Sequence, residues 1–91
     1  MSVDIDVERR IVKRSGKRVD LTRLEFDYLV ALKEANGKVL TRGELKRKVK
    51  TPEVHDRTVD QHLIRTRKKL KDHASVIRTV PNFGYAYEVE A

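Results

Sequence analysis

The spacing of apolar residues changes along the chain, and each change predicts a new element. From Val3 to Leu21 apolar and polar positions alternate. Val3, Ile5 and Val7 share one side of an extended chain, and Ile11, Val19 and Leu21 continue the pattern in short pieces. "SGK", Ser15 to Lys17, reads as a tight turn. Alternation with that turn predicts two or three short antiparallel strands over residues 3–21. "TRLEFDYLVALKEANG" then switches to helical spacing, with Leu24, Tyr28, Leu29, Leu32 and Ala35 recurring every three or four residues. Thr22 and Glu25 form a capping box, because each side chain can satisfy an early backbone N–H of the helix. Asn36-Gly37 supplies the stop, since glycine adopts the left-handed cap conformation without strain. Helix 1 is therefore expected over 22–35.

"KVL" is a brief extended connector. "TRGELKRKVK" repeats the capping signature with Thr41 and Glu44, and Leu45 and Val49 give it an apolar side. Helix 2 is expected over 41–50, with Arg42, Lys46, Arg47, Lys48 and Lys50 between the apolar positions and Pro52 ending it. After "TPEVH", Asp56 is a candidate N-cap for a third helix over 57–71. "SVIRTV" is strand-like, "PNFG" is a turn and "YAYEVE" alternates again, which predicts a hairpin over 76–89. No internal repeat or low-complexity stretch interrupts this order. The 91 residues suit one α+β domain spanning 1–91.

The third helix, "DRTVDQHLIRTRKKL", has two unlike sides. At about 100° per residue, Val59, Leu63, Thr66 and Leu70 form one narrow stripe, which is its core side. Gln61 and Lys68 lie nearly opposite, flanked by Arg57, Ile64 and Arg65. A charged helix is commonly just solvated, but three features point elsewhere. Asp60 is the only acid inside the run, so few partners exist within the helix for its cations. The outward side chains match base-edge chemistry, with arginine for guanine, glutamine for adenine and an aliphatic group for the thymine methyl. A large apolar residue on a polar face, here Ile64, also calls for a covering partner.

Charge sharpens the picture. The net charge is +7, which favours a polyanionic partner. Residues 1–36 hold 8 Lys/Arg against 7 Asp/Glu, whereas residues 37–91 hold 13 against 7. The partner-facing surface is thus expected in the second part of the chain. There is no cysteine, which excludes disulfides, thiolate metal sites and a thiol nucleophile. No stretch approaches the ~20 apolar residues of a membrane span. "MSVDIDVERR" lacks the apolar run of a signal peptide, and a cytoplasmic location with no membrane partner is expected.

Enzymatic readings fail on inventory. His55, His62 and His73 are not spaced as metal ligands. Ser15 and Ser75 have no nearby histidine–acid context to activate them, and there is no glycine-rich phosphate loop. No enzyme activity, cofactor or metal is expected.

Helix 2, a short loop and a basic helix 3 make a helix-turn-helix, and the hairpin after it would be its wing. "RTVDQHLIRTRKKL" followed by "IRTVPNFGY" resembles the C-terminal effector domain of OmpR/PhoB-type response regulators. Those domains carry an R-T-V-D-x-H-I-x-x-L-R-K-K-L recognition helix and a T-V-R-G-x-G-Y wing. "LTRLEFDYLVAL" and "LTRGEL" resemble the same family's helix 1 and helix 2 start, so the likeness spans essentially the whole chain. It implies a winged helix-turn-helix that binds double-stranded DNA sequence-specifically in transcription regulation, with helix 3 in the major groove. Gln61, Ile64, Arg65 and Lys68 would then meet base edges. Arg57, Thr58, His62 and Arg67 would hold phosphates, joined by Lys50 from helix 2 and by Thr79 and Tyr85 from the wing. Three of these have second readings: Arg67 as a brace within the fold, His62 as a partly buried imidazole, Tyr85 as a hairpin core residue. Partners implied are DNA, bound by two copies on tandem half-sites, and RNA polymerase as a further candidate; the free protein would be a weakly associating monomer.

The chain departs from the family pattern in three places. Pro81-Asn82 stands where the family has an Arg-Gly pair whose arginine reaches the minor groove. Helix 2 ends in Val49-Lys50 rather than Val-Trp. The loop from Lys50 to Arg57, where family members touch the polymerase, is short. Family members also carry a phosphorylatable receiver domain, and none lies among these 91 residues. Two other readings stay open: an RNA- or ribosome-binding module, and a winged helix that binds protein through Ile64. Base-stacking aromatics argue between them and DNA, because the chain has only five, most in expected core positions.

Overall fold

The computed structural model describes residues 3–50 and 56–88. Three short strands come first: β1 (Val3–Asp6), β2 (Ile11–Arg14) and β3 (Lys17–Val19). They form an antiparallel sheet in the order β1-β2-β3. Ser15 and Gly16 both have positive φ, 48° and 80°, which is the two-residue turn that matches strand twist in a hairpin. Helix α1 (Arg23–Glu34) follows, with both halves of the predicted capping box formed: Glu25 N–H donates to Thr22 Oγ1 at 3.2 Å, and Thr22 N–H donates to Glu25 Oε1 at 2.9 Å. Asn36 and Gly37 then take the left-handed turn, at φ 52° and 92°.

Helix α2 (Arg42–Val49) carries the second capping box on Thr41 and Glu44. It ends earlier than expected and for another reason. Lys50 adopts the left-handed conformation at φ 56° and closes the helix with its N–H on Lys46 O at 3.0 Å. Pro52, the expected terminator, lies outside the described residues, as does the rest of "TPEVH". Helix α3 spans Asp56–Leu70, so the residue expected as its cap is already inside it. Lys71, at φ 51°, turns the chain out of α3 into a 3-10 segment over Lys71–Val76. That segment takes up Ser75 and Val76, which the alternation of "SVIRTV" assigns to the strand. The hairpin is therefore shorter than 76–89: β5 (Ile77–Val80) and β6 (Gly84–Tyr87), with Val89 outside the described residues.

Part of the expected connector "KVL" forms a strand. Leu40–Thr41 is β4, and it pairs antiparallel with β6, giving a second sheet in the order β4-β6-β5. This pairing ties the start of α2 to the hairpin. It also explains Gly84. A Cβ on Gly84 would sit 2.0 Å from Leu40 O and 2.9 Å from Leu40 C and Thr41 Cα, all backbone atoms that cannot swing away.

One apolar core runs through all of these elements. It joins Val3 and Val12 of the first sheet, Phe26, Tyr28, Leu29 and Leu32 of α1, Leu45 of α2, Val59, Leu63 and Leu70 of α3, and Ile77 and Tyr85 of the hairpin. The period of α1 marks Leu24 and Ala35 as core, but both are only partly buried, while Phe26 and Glu25 are buried. Glu25 is buried because it has two partners: besides capping α1, its carboxylate receives Lys69 Nζ of α3 at 2.6 Å. A charge removed from water to this degree is tolerated only when it is paired and hydrogen-bonded.

The close approach at Gly84 makes a specific prediction. Gly84→Ala should destabilise the domain by ~1–3 kcal/mol or more, as expected when backbone must move in a packed region. Urea denaturation measures this, and an unchanged midpoint would contradict the β4–β6 packing.

Candidate nucleic-acid interface

Helix α3 is built into the domain by one side only. Val59, Leu63, Thr66 and Leu70 are fully buried, each at 0% exposure. Thr66 is a polar residue in that stripe, and its hydroxyl is satisfied by donating to His62 O at 2.8 Å, one turn back. On the other side Gln61, Ile64, Arg65 and Lys68 are exposed, Ile64 by 47%. From Gln61 to Lys68 is two turns, about 10 Å of axis. A strip of that length fits within a groove about 12 Å wide.

The flanks of α3 are held by polar contacts that centre on Asp60. Its Oδ1 receives Arg42 Nε–H of α2 at 2.8 Å and the Tyr85 hydroxyl of β6. The Arg42 guanidinium also lies 5.7 Å from the centre of the Tyr85 ring. One carboxylate thus joins α2, α3 and the hairpin. A turn or two further along, Arg67 Nε–H donates to Ile77 O at 3.1 Å, its Nη2 donates to Thr79 Oγ1, and its guanidinium lies 5.6 Å from the same tyrosine ring. Burial works against ionising Asp60, but the hydrogen bonds from Arg42 and Tyr85 outweigh it and hold the carboxyl below its ordinary value. Burial and the Asp60 carboxylate push the Tyr85 phenol up, against the opposing fields of Arg42 and Arg67. The hydrogen bond to Asp60 raises Arg42 further, so the pair stays charged.

The residues that the family likeness assigns to DNA fall into two groups. Gln61, Ile64, Arg65 and Lys68 come together on the free strip of α3. Thr58 is half-buried at the start of the helix, and Lys50 is exposed at the end of α2. The Arg57 side chain lies outside the described part. His62 is half-buried, with its ring 5.7 Å from that of Tyr28 and its Nδ1 buried without a hydrogen-bond partner among the described residues. Arg67, Thr79 and Tyr85 converge on one another instead. Tyr85 is 4% exposed and its hydroxyl proton is committed to Asp60.

Arg42 and Asp60 are absent from the expected set. In the sequence Asp60 reads only as a break in a basic run. The signal that could have found it is that position itself: an acid kept inside a basic helix, with an arginine opening the preceding helix. Among the described residues no cluster of acids and histidines could hold a metal ion, and no helix is long and apolar enough to cross a membrane.

Comparison with known proteins agrees with this geometry. The family model described as transcriptional regulatory protein, C terminal, matches residues 16–87. The sensory transduction protein RegX3 of Mycolicibacterium smegmatis is 38% identical over 97% of this chain and 40% of its own length. The chain spans about two fifths of the length of the curated relatives it matches. The DNA-binding domain of Klebsiella pneumoniae RstA, solved in complex with the RstA box, superposes with a TM-score of 0.82 at 33% identity, covering 96% of this chain and 91% of that one. The DNA-binding domain of the response regulator AdeR, solved with an intercistronic region, gives 0.85 at 28% identity, covering 97% and 95%.

The Asp60 junction has a testable pH signature. Its folded value lies below the ordinary 3.8, so its contribution to stability is full above that value and is lost as the pH falls through the folded value. Asp60→Asn should lower stability at neutral pH and flatten the acid limb of a stability–pH curve. Parallel curves for the variant and the parent below pH ~4 would contradict the assignment.

Proposed function

The chain belongs to the family of C-terminal domains of transcriptional regulatory proteins, of the OmpR/PhoB type, and from this we propose that it binds a specific double-stranded DNA sequence to regulate transcription. The observation that carries the reading is the free strip of α3. A fold that pins this helix by its buried stripe, by Asp60, by Arg67 and by Lys69 still leaves Gln61, Ile64, Arg65 and Lys68 uncovered. Arg65 would fork onto the O6 and N7 of guanine, Gln61 would pair with the N6 and N7 of adenine, and Ile64 would cover a thymine methyl. Lys68 would add a point charge at the end of the strip.

Phosphate contacts hold register while base contacts read sequence. Lys50, Arg57, Thr58 and His62 are proposed for the first task. Thr79 joins them, because a hydroxyl that accepts from Arg67 keeps its own proton for a phosphate oxygen. Arg67 and Tyr85 are proposed to act within the protein, by fixing the hairpin against α3. That assignment is supported by the hydrogen bonds that Arg67 Nε and Nη2 make to Ile77 and Thr79 and that the Tyr85 hydroxyl makes to Asp60.

Two copies on tandem half-sites remain the proposed arrangement on DNA. The +7 charge opposes self-association until phosphates neutralise it, which supports a weakly associating monomer in free solution. Contact with RNA polymerase, and the cytoplasm as the compartment, belong to the same proposal. The RNA alternative is weakened because four of the five aromatic rings, those of Phe26, Tyr28, Tyr85 and Tyr87, are buried and unavailable for stacking.

Selecting bound duplexes from a random DNA pool tests binding, specificity and half-site spacing together. On the selected site Arg65→Ala should cost ~1–3 kcal/mol and relax preference at one base pair. Arg57→Ala should weaken all sequences alike and reduce the salt slope by about one unit. Equal affinity of Arg65→Ala and the parent for selected and random duplexes would remove Arg65 from the base-reading role.

A further inference from the structure

Half of the Lys and Arg residues in 1–36 are gathered around one turn. Lys13, Arg14, Lys17 and Arg18 lie in a short stretch that holds no acid. Strand register sets them against one another: Arg14 stands opposite Lys17, and Lys13 opposite Arg18. Like charges directly opposite on paired strands cost stability. Elsewhere the fold gives basic residues an acid, as Arg10 with Asp27 at 2.9 Å, Arg42 with Asp60 at 2.8 Å and Lys69 with Glu25 at 2.6 Å. None of the four turn cations has an ion pair among the described residues, although Asp4 of β1 stands opposite Lys13. Lys13, Lys17 and Arg18 are exposed, and Arg14 is half-buried.

The turn is anchored. Ser15 and Gly16 fix its two-residue geometry with positive φ. Ser15 has no histidine near it in the sequence, but the fold brings it to one: Ser15 Oγ and His73 Nε2 share a hydrogen bond at 3.0 Å. His73 is buried in the 3-10 segment that leaves the C-terminal end of α3, and that segment begins with the exposed Lys71. The cations of the turn are therefore held beyond that end of the helix, at a set place relative to the strip from Gln61 to Lys68. What uncompensated cations fit is a row of anions. Among the described residues the exposed large apolar side chains, Val7, Ile64 and Phe83, lie elsewhere. A protein partner would bury an apolar centre, which the turn does not offer. Duplex phosphates need none, and neutralising them releases counterions whatever the base sequence.

We propose that the β2–β3 turn is a second phosphate-binding site, which grips the duplex backbone beyond the end of α3 without reading its sequence. The proposal rests on the DNA-binding reading above. It adds a contact from the first part of the chain, outside the helix-turn-helix and the C-terminal hairpin. Repulsion within the turn lowers the stability of the free protein, and bound phosphates relieve it.

The test uses the whole chain, a selected duplex with long flanks and a random duplex of equal length, each titrated over a range of salt. Lys17→Gln/Arg18→Gln should flatten the dependence of log affinity on log salt by about two units, equally on both duplexes. Its thermal melt should match or exceed that of the parent, because the opposed like charges are gone. Arg9→Gln/Lys33→Gln removes the same charge from outside the turn and should keep the parent's slope. An unchanged slope for Lys17→Gln/Arg18→Gln would overturn the proposal. So would equal flattening by Arg9→Gln/Lys33→Gln, which would reduce the effect to net charge, or a lower melt for the turn variant, which would make these residues structural. Loss of binding to phosphatidylglycerol vesicles with duplex binding intact would also overturn it, by assigning the turn to a membrane surface. If the parent bound neither duplex, the DNA-binding reading itself would fail, and that is distinguishable because it is seen before any variant is compared.

Discussion

The Asp60 carboxylate is the contact on which the arrangement of the second half of this protein depends. It sits on α3, accepts from Arg42 on α2 and accepts from Tyr85 on β6. Helices that meet through an apolar stripe alone could slide or rotate by a fraction of a turn at modest cost. A charged group with two directed donors from two other elements fixes the rotation of α3. That rotation decides which four side chains face outward. The same carboxylate is partly withdrawn from water, so removing either donor leaves a charge poorly compensated. The constraint is thus strict in both directions: it selects one geometry and penalises its neighbours.

Two further ion contacts extend this logic along the helix. Lys69 reaches back to Glu25, which also caps α1, and Arg67 spans to β5. Burial disfavours the Glu25 charge, yet the hydrogen bonds from Lys69 and from the Thr22 backbone hold its carboxyl below the ordinary value. Cations of α3 that face the domain are each given a partner. Arg65 and Lys68, on the opposite side, face water. Division of the basic residues into anchored and free sets is what leaves one side of a charged helix uncovered for the proposed contact with DNA.

Much of the architecture was legible in the sequence, because it rests on local rules. The capping boxes at Thr22–Glu25 and Thr41–Glu44, the core stripe Val59-Leu63-Thr66-Leu70 and the turn at Ser15-Gly16 all follow from spacing and residue type within a few positions. What stayed hidden depends on distant pairs. Strand β4 is two residues long and exists only because β6, more than forty residues later, lies beside it. Glu25 reads as a cap and nothing more until Lys69 is placed next to it. For Tyr85 and Arg67 the sequence leaves a DNA contact and an internal role side by side, and only the folded chain shows which groups they bond: Asp60, Ile77 and Thr79. The outward strip was predicted from the helical period, whereas its support was not, because that support is tertiary.

In the proposed complex α3 is the reading element and the hairpin its fixed companion. An amide chemical-shift titration of the protein with a duplex selected from a random pool tests this most directly. The largest shifts should fall at Gln61, Ile64, Arg65 and Lys68 and at the hairpin tip, with strand β1 nearly unmoved. Shifts concentrated on that strand, with the α3 strip unchanged, would contradict it.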